Sequence, residues 1–518
     1  MLWLGIGLIW IGGIAWLTWR SRQDWWRGWA PDLVAGGLLL LLIAGFFWRT
    51  LSGDVYQPAD GGDLVSFLFP TYRFAAAQLH MGTLPLWNPT LYGGAPFIGD
   101  IQAGFLYIPN LILFWLWPAF DYTALQWLAI GHLGWAALGM YVLLRSWRGA
   151  PAVAQLSRGA AFFGALAFAL SDPLLVHLGN LNLIAVLSWL PWVLAAYQQA
   201  LYWHSLRWAA IAGFLFATAN FAGHAQSTFY LALVLAIYTL GHWALKWREW
   251  HATPQSHPIA LPQVIAVIQY PLITATLTFL LTAPILLPAF ELARFTERVA
   301  FTYQDTVAFS LAPTQAIGLL TPGFFGRGPA LHWSLWSRVE TPYAGVATLI
   351  LAACAFVLAD GALRRRLWVW LVIGLVGFST ALGIYALVHG WLTYLLPLFD
   401  QFRAPARALV LWTFALAGLA AFGVDGVRRR LVGAATTAAA LERFVQRGGM
   451  GLLGIVLPLV YLALLLTQEN ETVFLRVSVA AIALTLATAF WWGTWALLAM
   501  RRAGWLSSLT VALLLIGL

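Results

Sequence analysis

Charge is what this sequence has least of. Only 9% of its 518 residues are Asp, Glu, Lys or Arg, against about 25% in a soluble domain. With 61% apolar residues and a mean hydropathy of +0.79, no soluble core could hide this much apolar surface, so lipid must be the solvent. Cysteine is nearly absent. The one Cys, Cys354, lies in the apolar run Ile350-Leu351-Ala352-Ala353-Cys354, which excludes an internal disulfide and a cysteine-cluster metal site. No internal repeat, low-complexity tract or His-Glu-x-x-His metal spacing occurs. The net charge of +9 does not point to nucleic acid, because the cations sit in short loops between apolar runs, where they set topology. What the chain does have is tryptophan, 31 of them, a residue that favours membrane interfaces.

A span needs about 20 mostly apolar residues. Fourteen runs qualify, near 2–18, 33–48, 122–144, 159–176, 183–201, 208–222, 228–245, 266–289, 343–361, 367–385, 407–424, 450–467, 476–499 and 503–518. The expectation is an all-α polytopic membrane protein of about 12–14 transmembrane helices, with interfacial helices in a long first outer loop. The first run is followed by Arg20, Arg22 and Arg27. A signal peptide carries its cations before the apolar stretch, so this run reads as a span with its N-terminus outside. That assignment puts 19 of the 28 basic residues in inner segments and 13 of the 19 acidic residues outside, as the positive-inside rule requires.

Four regions follow: N-terminal spans over 1–48, an outer loop over 49–121, a membrane core over 122–425 with a second outer loop at 289–342, and C-terminal spans over 426–518. Residues 432–441 read as a bland inner linker, and Asn470-Glu471-Thr472 matches a glycosylation acceptor on the outer side.

The first outer loop is too apolar and aromatic for a solvated one. Leu64 to Leu79 suits an interfacial helix. Phe105 to Trp117, broken by Pro109 and followed by Pro118, reads as interfacial or re-entrant, and the Pro and Gly clusters predict a compact, turn-rich cap. Asp63 precedes the apolar run as an N-cap would, and Asp100 sits among glycines as a turn residue would.

Several blocks recur in a fixed order: Asp63 to Pro70, then Pro85-Leu86-Trp87-Asn88-Pro89, Gly94-Ala95-Pro96, Asp100-Ile101-Gln102, Gly223-His224-Ala225-Gln226, Glu340-Thr341-Pro342-Tyr343-Ala344-Gly345 and Phe402-Arg403-Ala404-Pro405-Ala406-Arg407. In this order they resemble the YfhO-like bacterial membrane proteins, which belong with the multi-spanning glycosyltransferases of the C superfamily. The resemblance covers most of residues 50–425 and is most specific at the Pro-Leu-Trp-Asn-Pro block. It implies sugar transfer on the outer face of a bacterial plasma membrane, from a polyprenyl-phosphate donor to a glycan, lipid or protein acceptor. It implies that Asp63 is the general base, with Asp100 second. Family members carry Gln where this chain has Phe67, and extend further than Leu518, so a short member or a fragment is expected.

Such chemistry needs a carboxylate within hydrogen-bond reach of the acceptor and a cation for the departing phosphate. Arg403 and Arg407, four apart before a span, are the phosphate candidates, and snorkelling at the interface is the competing reading. Arg73, Arg294 and Arg298 are of the same type. Gln102, His224, Gln226 and Glu340 complete the substrate-binding set. Asp172, His177, Asn180 and Asn182 form another outer turn, read as capping and interhelical bonding, and His132 reads as a packed polar residue inside a span. A divalent cation, if one is used, would meet Asp63, Asp100 and His224. The rival readings are a lipid or polysaccharide-precursor flippase and a non-catalytic membrane partner. A transporter places its charges at the bilayer midplane, whereas here they cluster at the outer ends of the helices.

Overall fold

The protein is described from a computed structural model, over residues 24–58, 62–91, 93–147, 155–251, 261–326, 340–432 and 457–469, with Gly12 and scattered positions between 446 and 492. The runs at 2–18 and 503–518, most of 476–499, the linker at 432–441 and the sequon at Asn470 lie outside the described residues. Within them the chain is helical, apart from one two-stranded ladder.

Among the described residues, six helices are long and apolar enough to cross a membrane: Trp29–Phe46, Tyr122–Ser146, Leu181–Trp203, Ala225–Glu249, Ile268–Ala293 and Pro405–Arg429. The runs at 159–176, 208–222 and 343–361 form helices of 12, 16 and 13 residues, short of the ~20 that a span takes, and the described part of 450–467 includes the helix Leu457–Thr467. Apolar stretches overran helix ends: the first of these stops at Ala169, four residues before Pro173, and the third begins only after Gly345, at φ +88°.

The contacts divide the chain into two compact units, Met1–Arg148 with Leu174–Phe301, and Gly149–Pro173 with Thr302–Leu518. In the first unit, Asp121 caps the Tyr122–Ser146 helix by accepting from the Ala124 N–H. The Asp24–Phe46 helix is tied to it by Asp32, which accepts from Tyr141 Oη at 2.6 Å and Arg145 Nε at 2.8 Å. The Leu206–Phe221 and Leu261–Ala293 helices approach closely at Gly213, where an added Cβ would meet the Thr274 carbonyl. Thr274 and Thr278 donate across to the carbonyls of Ala209 and Gly213, the small-residue and hydroxyl contact favoured between membrane helices.

In the second unit, the Leu409–Val432 helix is central: the span it belongs to is 94% buried, whereas the Ile268–Ala293 window is 22% buried. Arg158–Ala169, Val346–Leu358 and Gly361–Ala381 pack around it. Trp370 lies against Phe414 and Phe422, and Gly423 leaves its backbone against that of Leu351.

Candidate functional site

The first long loop is built on a helix described from Gly62 onward. Pro70 cannot donate to the Ser66 carbonyl. The chain answers with a wide π turn over Leu64–Leu68, in which the Phe69 N–H reaches back to Leu64 O, before the α-helix Phe69–His80 begins. Leu64 to Leu79 is therefore helical as expected. Asp63 stands at the head of this helix, exposed, and its side chain caps nothing. Instead its carboxylate accepts from Asn180 Nδ2 at 2.8 Å.

The cap expected at Asp63 is found at Asp100. Its carboxylate accepts from the Gln102 N–H at 3.0 Å and starts the short 3₁₀ turn Ile101–Ala103, which Gly104 ends at φ +54°. Burial pushes the Asp100 carboxyl above its ordinary value, and the Gln102 N–H works against that shift.

The Pro85-Leu86-Trp87-Asn88-Pro89 and Gly94-Ala95-Pro96 blocks form the ladder, with Trp87 opposite Pro96 and Asn88 opposite Ala95. Asn88 Oδ1 accepts from the Thr90 N–H and hydroxyl, which fixes the turn, and the Trp87 ring lies over Gly94. Beneath, Phe97, Phe105, Phe114 and Phe120 are buried in a chain of ring contacts. The Phe105–Trp117 stretch contributes only a nine-residue helix, Ile108–Leu116.

Three polar anchors hold this loop. Asn110 Nδ2 donates to Tyr72 Oη and to the Gly104 carbonyl, both at 2.9 Å. Tyr107 Oη accepts from Trp189 Nε1 at 2.9 Å and pairs with His132 Nε2 at 2.7 Å. Because His132 Nδ1 faces the Leu128 carbonyl at 2.6 Å, that nitrogen carries the proton and Nε2 accepts from the tyrosine. Third, Asn182 Nδ2 donates to the Gln102 carbonyl at 2.5 Å and to Gly223 O at 3.4 Å. Gly223, at φ +87°, has no room for a side chain because the Ile101 carbonyl lies against it.

Asn180 and Asn182 thus join the Asp63 helix to the Asp100 turn. Sequence reasoning assigned this turn to capping and interhelical bonds. It did bring Asn182 to tertiary contacts, but the Asn180 link to Asp63 was missed. Its readable signal is the Asn-x-Asn spacing at the start of an otherwise apolar helix.

The remaining candidates are distributed as follows. Arg73 donates to the Phe120 carbonyl at 3.0 Å and sits 5.7 Å from that ring's centroid, so it braces the loop's far end. The Gln102 side chain is exposed while its carbonyl serves Asn182. His224 Nδ1 accepts from the Ser227 N–H at 3.1 Å, as a cap on the Ala225–His251 helix. Gln226 is buried and donates to Tyr230 Oη on its own helix.

Glu340, Arg403 and Arg407 belong to the second unit. Glu340 is wholly buried, and next to it Thr341 donates to Asp172 at 2.7 Å. Arg403 is exposed and Arg407 half-buried. The pair does not share a helix face: Ala404 is left-handed at φ +58°, Pro405–Ala408 is a 3₁₀ turn, and the α-helix begins at Leu409. Pro405 sets this delay, since it disfavours helix at the residue before it.

Among the described residues no group of three or more His, Cys, Asp or Glu side chains could hold a metal ion, and Asp63, Asp100 and His224 are not gathered as one. Compared with models of protein families and with curated proteins, the chain finds no match.

Proposed function

We propose that this chain is a membrane glycosyltransferase. It moves a sugar from a polyprenyl-phosphate donor to an acceptor hydroxyl on the outer face of a bacterial plasma membrane. The observation that carries the reading is the state of Asp63. It is exposed, at the head of a surface helix, capping nothing, with one amide bond from Asn180 orienting its carboxylate. Asp100 and Asp121, by contrast, each cap the start of a helix.

In this reading the Asp63 carboxylate takes the acceptor hydroxyl's proton as the new oxygen–carbon bond forms at the sugar's anomeric carbon. The anomeric carbon–oxygen bond to phosphate breaks, and the lipid phosphate leaves with the electron pair. Asn180 holds the carboxylate in position, and the departing phosphate takes charge-assisted bonds from a cation. Asp100, with its raised carboxyl, is the second candidate for the base.

The test is transfer of a radiolabelled sugar from polyprenyl phosphate in proteoliposomes, comparing the unaltered chain with Asp63→Asn at matched folded protein. Transfer by the unaltered chain that is lost in the variant supports the assignment. Equal turnover in both removes Asp63 from the mechanism and moves the role to Asp100. Movement of the labelled lipid between leaflets without sugar transfer would replace the enzyme by a flippase.

A further inference from the structure

Two carboxamides near the candidate bases have polar atoms left unengaged. Asn180 gives its Nδ2 to Asp63 Oδ2 at 2.8 Å, while its own Oδ1 takes no hydrogen bond from the described residues. Asp63 Oδ1 is likewise open among the described residues. Gln102 is exposed, and its side-chain amide makes no hydrogen bond to any of them.

The Gln102 main chain, by contrast, is held on three sides. Its N–H donates to the Asp100 carboxylate at 3.0 Å, and its carbonyl accepts from Asn182 Nδ2 at 2.5 Å. Its Cα lies over Gly223, where an added Cβ would meet it at 3.2 Å. Asn182, the anchor, is buried. Ordering flexible groups is a principal cost of binding, and a fixed stem beneath an open amide lowers it.

Gln102 is also tied to both carboxylates. Asp100 bonds it directly. Asp63 is linked to it through Asn180 and Asn182, two positions apart on one turn and so within ~7 Å at the Cα atoms. These groups are suited to reading a set of hydroxyls. Asp63 Oδ1 and Asn180 Oδ1 accept, whereas the Gln102 amide both donates and accepts, and a hydroxyl does both as well. A molecule with one hydroxyl, such as a fatty alcohol or a serine side chain, engages the base and leaves Gln102 unused. Neighbouring hydroxyls on a rigid ring engage both.

We propose that the molecule receiving the transferred sugar is itself a sugar, with its reacting hydroxyl on the candidate base and a second hydroxyl bonded to the Gln102 amide. This rests on the transferase reading above and names the class of its acceptor. Gln102 sets specificity and takes no part in the proton transfer. A buried site that hydrogen-bonds a substrate hydroxyl rejects analogues lacking it by very large factors, because its own groups are left unpaired. Gln102 is exposed, so water replaces a missing hydroxyl and the preference is modest.

The test uses the full chain in micelles of a zwitterionic detergent that carries no sugar. Methyl glycosides of the common hexoses and N-acetylhexosamines are titrated in, with N-acetylserine amide as the single-hydroxyl control, and binding is read by saturation-transfer NMR. The expected result is that at least one glycoside binds and the serine amide does not. Gln102→Ala weakens that glycoside about tenfold, the equivalent of ~1.4 kcal/mol. Gln304→Ala, at an exposed glutamine of the second unit, changes nothing. Added polyprenyl-phosphate sugar leaves the glycoside bound, because donor and acceptor occupy the site together. Failure of every glycoside to bind overturns the proposal, and so does binding that Gln102→Ala leaves intact. Displacement by the polyprenyl-phosphate sugar also overturns it, and assigns Gln102 to the donor's own sugar. Because the readout needs no turnover, the two readings fail separately. Glycoside binding that depends on Gln102, in a chain that transfers no sugar, supports sugar recognition and retires the transferase. Asp63-dependent transfer with glycoside binding indifferent to Gln102 keeps the transferase and overturns this proposal.

Discussion

Each unit carries a nine-residue amphipathic helix, Ile108–Leu116 in the first and Leu387–Leu395 in the second. Their exposed faces follow one spacing: Ile108, Ile112, Trp115 and Leu116 in one, Leu387, Trp391, Tyr394 and Leu395 in the other. At 1.5 Å per residue each is about 14 Å long, less than half of a ~30 Å hydrocarbon core. That length and face suit helices lying along a membrane surface. Their undersides differ. Asn110 bonds the Tyr72 hydroxyl and the Gly104 carbonyl, and so fixes the backbone just after Asp100. His389 instead lies between the rings of Tyr303 and Phe399, with centroids 5.9 and 5.2 Å away. Hydrogen bonds to backbone fix where a loop sits, whereas ring packing fills volume and tolerates small shifts. The first underside is the one that fixes its loop's backbone.

The largest test of this contrast removes a carboxylate from each side. Asp63→Asn is expected to lower sugar transfer about 10²- to 10⁴-fold, the range for loss of a general base. Asp305→Asn in the second unit, where Asp305 closes a capping box with Thr302, is expected to leave transfer unchanged. Transfer assays on both variants at matched folded protein decide it. A loss of similar size in both would mean that the second unit's loop is as closely tied to the chemistry as the first.

Removing the polar undersides is expected to have a smaller effect. Asn110→Ala takes an amide donor from the buried Tyr72 hydroxyl and from the Gly104 carbonyl, which keeps the Tyr107 N–H, and Asn182→Ala takes one from the Gln102 carbonyl. Each is expected to cost about 1–3 kcal/mol. His389→Leu exchanges one ring for an aliphatic group of similar bulk, and the expected cost is under about 1.5 kcal/mol. Thermal unfolding in micelles would rank them. A larger loss for His389→Leu would show that the second underside is the more exacting of the two.

The positions of most long helices were legible, because apolar runs and the arginines that bound them survive in any environment. Helix ends were less so. Residues such as Leu170 and Val176 are as apolar as the helix they follow, and it is Ser171, Pro173 and the neighbouring turns that end it. In the candidate site, the Pro70 helix, the failure of the stretch after Phe105 to form a full span and the packing of His132 were readable from local chemistry. The exchange of roles between Asp63 and Asp100 was not. Capping preference is the same for both, but Asp63 has a helical backbone and its side chain is engaged by Asn180, 117 positions away. The Leu387–Leu395 helix escaped notice because nine residues between two apolar runs carry too few turns to declare a period.

The smallest expected effect separates the two units by pH. Burial raises the Asp100 carboxyl, so the folded state favours its protonated form. Below the ordinary value of 3.8 that preference contributes its full stability, and it is lost as pH rises through the raised value. Burial lowers the His389 imidazole from 6.5 to about 4, so the unfolded chain takes up a proton there that the folded chain refuses. Its contribution is present above 6.5 and falls away as pH drops toward 4. The two groups therefore push stability in opposite directions over the mildly acidic range. Asp100→Asn, which keeps an oxygen for the Gln102 N–H, is expected to remove the decline on the alkaline side. His389→Leu is expected to remove the decline on the acid side. Unfolding temperatures of the two variants, measured against the unaltered chain from about pH 4 to 7, should diverge from it at opposite ends of the range. Parallel curves would mean that neither buried group titrates with folding, and that the undersides differ in geometry alone.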